Sequence, residues 1–432
     1  VKSVQVITLG CSKNTVDTEH LLYDVSGKLD IIREEDGDVP YVDYLLLNTC
    51  GFIGDAKQES IEAILEAVER KKAGRAGEII VFGCLSQRYA AEMPKLIPEV
   101  DRWFGARDLA PVVRALGAEP GDCTGRWRSG GGPGTAYLKI SEGCDRRCSY
   151  CAIPHIRGAH RSVPVEALVK EATALAAAGV RELVLIAQDT TYYGLDLYGR
   201  RALAELLERL SEIPGVEWLR IHYSYPTDFP EDVLQQMASN PKVCPYLDIP
   251  LQHISDKVLD NMRRHVSSAQ TRELVRRLRA EVPGVVLRTT MIVGHPGEGE
   301  SQFEELLEFV REARFERLGA FTYSEEEGTW GAEHLEDDVP QEVKDARLER
   351  LMEIQQGISM EFNNSRVGSV EKVLVDSYTD GVLVCRSRYE SPEVDGEILV
   401  KPSVQDPESL CGTFIEVRVT GADAYDLIAE MI

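Results

Sequence analysis

The chain has 432 residues, with 48 Lys and Arg against 72 Asp and Glu, a net charge of −24, and 43% hydrophobic residues. That length predicts roughly two to four domains with packed cores, and the acidity speaks against a protein that grips nucleic acid by charge. No apolar run approaches the ~18 residues of a membrane span. The opening VKSVQVITLG reads as a strand and not as a signal peptide. Ten cysteines in a chain this long do not read as a secreted disulfide scaffold. The expectation is a soluble cytoplasmic protein, with no membrane contact, whose clustered cysteines serve metal or redox chemistry.

In chain order, residues 1–118 read as an open parallel α/β sheet. VQVITLGC, YLLLNTC and IIVFGC are each an apolar run, then one or two small or polar residues, then a cysteine: Cys11, Cys50 and Cys84. Strand carboxyl ends line the crevice of such a sheet, so equivalent positions on three strands would bring three thiols together. The alternative is three unrelated buried cysteines, since free Cys is commonly buried. The helix at 55–72 carries Ile61, Ile64, Leu65 and Val68 at helical spacing, a core-facing stripe. No G-x-G-x-x-G follows the first strand, which leaves a nicotinamide reading without support. Residues 119–135, rich in Gly and Pro, predict a flexible linker.

From 136 to 364, six strand–helix units follow, on the strands YLKI, ELVLIA, VEWLRIHY, YLDIP, VVLRTTMIV and FERLGAFTY. The alternation predicts a parallel sheet with helices outside, and six units are too few for an eight-fold barrel, so a partial (β/α)6 barrel is expected. Ser162 is the expected N-cap of its first helix. Chemistry in such barrels sits at strand carboxyl ends. There the sequence offers Gln188 and Asp189, His222 with Tyr223 and Tyr225, Gln252 and His253, Gly294 with His295 and Glu298, and Tyr323 with Ser324. Gln188, His222, Gln252 and Glu298 are the candidates for cofactor contact. From 366 to 432, short strands between Gly, Asp and Pro turns predict a small five-stranded antiparallel β-barrel. Cys123, Cys244, Cys385 and Cys411 follow no pattern.

SEGCDRRCSYCAIP, residues 141–154, sets three cysteines at C-x3-C-x2-C. Three thiolates do not close a tetrahedral structural zinc site. They can hold three irons of a 4Fe-4S cluster and leave the fourth open to a small molecule. A zinc site completed by a distant His or Cys, or buried free thiols, remain the alternatives. Arg146, Arg147, Arg157 and Arg161 read as a local basic patch beside them. The spacing, with an aromatic residue and Ile-Pro beside it, resembles the radical S-adenosylmethionine (SAM) superfamily, in which the open iron binds the amino and carboxylate groups of SAM.

Over essentially its whole length the chain resembles the radical SAM methylthiotransferases. LGCSKN, NTCGF and GCLSQR match that family's auxiliary-cluster motifs through Cys11, Cys50 and Cys84, and Cys144, Cys148 and Cys151 match its SAM-cluster ligands. IVGHPGE and FTYSEEEGTWG resemble its fifth- and sixth-strand motifs, with His295 and Gly299 as departures. The C-terminal barrel resembles its TRAM domain. AQDTTYYG and IPLQHIS are most similar to the branch that modifies a ribosomal protein. The resemblance implies two 4Fe-4S clusters and SAM as cofactors. It implies methylthio insertion at the β-carbon of an aspartate in small-subunit ribosomal protein twelve, and an electron donor and a sulfur source as further partners. No catalytic side chain beyond the cluster ligands is singled out. Two other readings stand beside it: the sister branch that methylthiolates a tRNA adenosine, and a non-catalytic metal-containing RNA-binding protein. Residues 366–432 hold six Lys and Arg against thirteen Asp and Glu, a net −7. That sign argues against direct tRNA binding and for a basic protein substrate.

Overall fold

The computed structural model describes residues 1–33, 40–129 and 132–432. Its first sheet holds β1 (Ser3–Thr8), β2 (Asp30–Ile32), β3 (Val42–Thr49), β4 (Ala76–Gly83) and β5 (Arg102–Trp103), all parallel, in the order β2-β1-β3-β4-β5. The three apolar runs read from sequence are β1, β3 and β4, which lie side by side at its centre. β2 and β5 have three and two residues, too short to carry an apolar pattern. Leu45, Leu47, Ile79 and Val81 pack on Ile64 and Val68 of the helix Gly54–Lys72. On the other face Val4, Leu46, Ile80 and Phe82 pack on Leu21 and Leu22 of the helix Ser12–Val25. Leu65, expected in the core stripe, is 48% exposed. It lies about 100° around the helix from Ile64, past the line of contact.

Within residues 119–135, Gly130 and Gly131 lie outside the described residues. The described part is not the free linker its composition suggests. Arg126 is buried and ion-pairs with Glu19 before it and Glu171 after it, and Trp127 packs on the first core. Gly and Pro content reports backbone freedom, and long-range ion pairs are absent from it.

The second sheet starts with β6 (Thr135–Lys139). β7 (Ser141–Glu142) and β8 (Arg161–Ser162) then pair antiparallel as a clasp around the cysteine loop. β9 (Glu182–Ile186), β10 (Trp218–Ile221), β11 (Val243–Asp248), β12 (Val286–Val293) and β13 (Arg317–Thr322) complete a six-stranded parallel sheet, ordered β13-β12-β11-β10-β9-β6. Each unit adds its strand beside the last, which gives an open partial barrel. Its outward residues, among them Leu138, Leu183, Leu219, Leu247 and Leu287, form the main core with the covering helices. Ser162 does not cap the helix Val165–Ala177. It sits in β8 bound to Asp196, and Pro164 takes the N-cap position.

β14 (Val370–Thr379), β15 (Val382–Arg386), β16 (Ile398–Lys401), β17 (Phe414–Ala422) and β18 (Leu427–Met431) close a barrel in the order β14-β15-β16-β18-β17. The expected antiparallel pairing has one exception, because β16 and β18 run parallel. β17 pairs back to β14, and its hairpin then returns β18 between β17 and β16. This barrel lies against the inner face of the six-stranded sheet, where Trp218, Tyr246 and Val286 meet Leu374 and Phe414.

Candidate functional site

Cys50 and Cys84 directly follow β3 and β4, and Cys11 follows the neighbouring β1 after Leu9 and Gly10; the three parallel strands end in register at Thr8 and Asn48 and at Thr49 and Gly83. Two glycines let the loops converge. Gly10 has φ +92°, and a Cβ there would come within 2.8 Å of Cys50 Cβ and 3.0 Å of its Sγ. A Cβ at Gly51 would meet the Leu85 backbone at 2.7 Å. Only glycine accepts that approach. The thiols feel one another. Burial pushes the Cys84 thiol up to about 11 against the pull of Arg157, and Cys11 and Cys50 add to the rise. Burial is also the main cause that raises Cys50, with Cys11 contributing.

The second set lies in the loop between β7 and the helix Ile153–Arg157. Cys144 N–H donates to Gly158 O, Cys151 N–H to Cys148 O, and Arg146 N–H lies 3.4 Å from Cys144 Sγ. Burial pushes the Cys144 thiol up to about 12, and it raises Cys151, with Cys148 and Cys144 adding. Arg264 Nη1 is 3.6 Å from Cys148 Sγ. The Tyr225 ring holds two cations beside this set, with Arg146 at 4.1 Å and Arg264 at 4.2 Å from its centroid.

One short helix joins the two sets. Cys84 packs on Ala152 and Ile156, and Arg157, 2% exposed, places Nε 3.3 Å from Cys84 Sγ. Its other nitrogens bind Asn14, Asp17 and Glu142. Lys139 ion-pairs with the same Asp17 and Glu142. Arg157 therefore does not belong to an exposed basic patch, and Arg146 is paired with Asp189.

Of the strand-end candidates, Gln188 donates to Glu142 at 2.7 Å and leaves its own Oε1 buried without a partner among the described residues. Gln252 is held at φ +73° with a buried, partnerless Oε1. Ser141 Oγ, Arg146 Nη2, Arg264 Nε and Tyr323 Oη are orphaned in the same way. Buried polar atoms normally find partners, so orphans gathered around the barrel mouth fit a polar ligand such as SAM. His222 does not join them. Its Nε2 is 2.6 Å from Ser391 Oγ of the C-terminal barrel, and burial pulls its pKa down to about 3. Glu298 is also taken: Gly294 N–H and Arg347 bind Oε1, and His253 binds Oε2. His295, a departure from the family motif, is buried against Tyr323 and Tyr150, and burial pulls it down to about 4. Arg264 escapes a sequence reading because NMRRHVSS carries no motif; only folding brings it to Cys148.

Among the described residues no three His, Cys, Asp or Glu side chains converge on a single ion. In an iron–sulfur cluster each thiolate binds its own iron, so a wider triad of pure sulfur donors is the set a cluster takes.

Residues 3–105 match the Uncharacterized protein family UPF0004, residues 138–310 the Radical SAM superfamily and residues 367–432 the TRAM domain. Ribosomal protein uS12 methylthiotransferase RimO of Porphyromonas gingivalis is 51% identical over 430 residues, 99% of each chain. RimO of Bacteroides fragilis is 48% identical over 439 residues, 100% of this chain and 99% of that one. Among solved structures, the radical SAM methyltransferase TsrM of Kitasatospora setae aligns with a TM-score of 0.55 at 13% identity, covering 95% of this chain and 82% of that one, a likeness of fold alone. With full-length relatives at this identity and both cysteine sets in place, the chain belongs to the RimO family of radical SAM methylthiotransferases.

Proposed function

We propose that this enzyme inserts a methylthio group at the β-carbon of an aspartate of ribosomal protein uS12, using two 4Fe-4S clusters. The observation that carries the reading is the meeting of two three-cysteine sets on either side of the helix Ile153–Arg157. Cys144, Cys148 and Cys151 would hold the SAM-binding cluster, and Cys11, Cys50 and Cys84 the auxiliary one. When bound, the clusters and SAM supply the one-electron chemistry that attacks an unactivated C–H bond, together with the sulfur and methyl group. The chain's own residues prepare the cavity. Gln188 and Gln252 offer free amide oxygens to SAM, Arg264 sets positive charge beside Cys148, and Glu298 holds the Gly294 loop from behind.

An electron donor and a sulfur source complete the reaction. No helix among the described residues is long and apolar enough to cross a membrane, and the reading places the enzyme in the cytoplasm. It also divides the chain at 1–118, 136–364 and 366–432. The charge of the C-terminal barrel favours a basic protein over tRNA. Of its six cations, Arg386 and Arg388 bond to the partial barrel and Arg366 is buried against Glu390, which leaves the outer face more acidic still.

The test is one anaerobic assay with SAM, a reductant and sulfide. It offers a uS12 peptide carrying the target aspartate and, separately, an anticodon stem-loop with isopentenyl-adenosine. Mass spectrometry should find the methylthio group on the peptide; finding it on the RNA alone would overturn the substrate. Cys50→Ala should reconstitute with about half the iron, because each set holds its own cluster. Full iron content in that variant would refute the second cluster.

A further inference from the structure

Lys13 lies two residues beyond Cys11, in the first turn of the helix Ser12–Val25, and only 7% of it is exposed. Its ammonium stands 3.4 Å from the centroid of the Tyr223 ring. No carboxylate or hydrogen-bond acceptor among the described residues pairs with it. Several other buried cations have acids beside them. Lys139 and Arg157 share Asp17 and Glu142, Arg126 has Glu19 and Glu171, and Lys344, buried as deeply as Lys13, has Asp337.

An ammonium this enclosed, with a tyrosine face but no anion beside it, gains from an anion that reaches it. The ring is itself held in place. Tyr223 is in the left-handed region at φ +57°, its N–H donates to Asp248 Oδ2, and its carbonyl accepts from Thr190 N–H. Strain of this kind persists where surrounding structure enforces it and clusters at ligand sites. Lys13 thus reaches from the loop of the N-terminal cysteine set to the carboxyl end of β10, the mouth of the partial barrel.

We propose that Lys13 binds the side-chain carboxylate of the target aspartate. The inference rests on the substrate reading above and adds the group that selects for it. A carboxylate anchored there lies one bond from the β-carbon to be modified, and asparagine or a nucleobase brings no charge to the same place. SAM also carries a carboxylate, but Arg264 stands beside the other cysteine set with no carboxylate against it among the described residues, so SAM has a cation of its own. Lys13 is the cation on the auxiliary side. It acts by binding and orienting the substrate.

The test uses the reconstituted, SAM-loaded enzyme and two labelled uS12 peptides, one with the target aspartate and one with asparagine in its place. Binding is measured by fluorescence anisotropy for the unsubstituted enzyme, Lys13→Met and Lys13→Arg, with iron content and melting temperature as controls on folding. Lys13→Met should weaken the aspartate peptide by about tenfold or more, the scale of a lost charged hydrogen bond. It should bind the two peptides alike, and Lys13→Arg should restore part of the preference. That non-additivity is the signature of a direct contact. Equal weakening of both peptides would make Lys13 a structural residue. Loss of SAM affinity with intact peptide discrimination would assign it to the cofactor. Either result overturns the inference and leaves the substrate reading standing. If the unsubstituted enzyme binds neither peptide, the substrate reading fails and this inference falls with it.

Discussion

Both carboxylate oxygens of Glu298 are engaged inside the protein. Oε1 accepts from the Gly294 N–H at 2.9 Å and from Arg347 at 2.8 Å, and Oε2 lies 2.9 Å from His253 Nε2. Ser255 N–H donates to His253 Nδ1, so the ring's proton sits on Nε2 and points at the carboxylate. Glu298→Gln removes the buried counter-charge of Arg347 and leaves it only the exposed Glu300 at 3.6 Å. That should cost about 3 kcal/mol, the lower end for a broken buried pair, since the amide still accepts a bond. Urea unfolding would register the loss; an unchanged midpoint with only a raised KM for SAM would mean that Glu298 contacts the cofactor after all. Arg157→Gln acts at the seam between the two cysteine sets. Lys139 still pairs with Asp17 and Glu142, so the cost should again be about 3 kcal/mol. Limited proteolysis near residues 119–129 should accelerate with it, and no change in either measurement would show that the Arg157 contacts contribute nothing.

The connection between β15 and β16 covers the inner face of the partial barrel. Glu390 binds Arg366 and Arg317, Ser391 binds His222, and Asp395 binds Tyr246. Behind it Glu182 pairs with Arg220 and Arg386. Burial alone would raise Glu182 and Glu390, but their arginines win and hold each from 4.5 down to about 2. A depressed carboxylate stabilises the fold fully above its unfolded value and loses that contribution as pH falls toward its folded value. Asp376 and Asp395, raised by burial, work in the opposite sense and soften the response. Urea midpoints taken from pH 6 to pH 2 should therefore stay level down to about 4.5 and then fall steeply. A decline that begins near pH 6 would mean that this interface does not set the acid limit.

The whole molecule carries −24, and the interface with the C-terminal barrel turns several of that barrel's cations inward. A basic substrate approaching this field should associate quickly at low salt. Raising ionic strength from about 0.05 to 0.5 M should slow association with uS12 by on the order of tenfold, because the Debye length shrinks below the approach distance. Dissociation should change less. Stopped-flow fluorescence separates the two rates, and a salt-independent association rate would remove charge from the recognition argument.

Sequence alone determined the six strands of the partial barrel and the closing barrel, because strand periodicity is a local property, and it put the two cysteine sets forward through their spacing. Cys144, Cys148 and Cys151 are legible from eight residues of sequence. Cys11, Cys50 and Cys84 are legible because each ends an apolar run of the same kind. Tertiary structure decided the rest. Glu298 and Gln252 both follow strands, yet one is saturated by Arg347 and His253 while the other keeps a free oxygen. His222 stands at a strand end but is claimed by Ser391, 169 residues away. Arg264 carries no local signal, and Lys13 lies within LGCSKN with nothing there to say that it would face Tyr223 instead of an acid. A hydrogen bond or an ion pair is a property of two residues at once, and one chain position in isolation does not contain its partner.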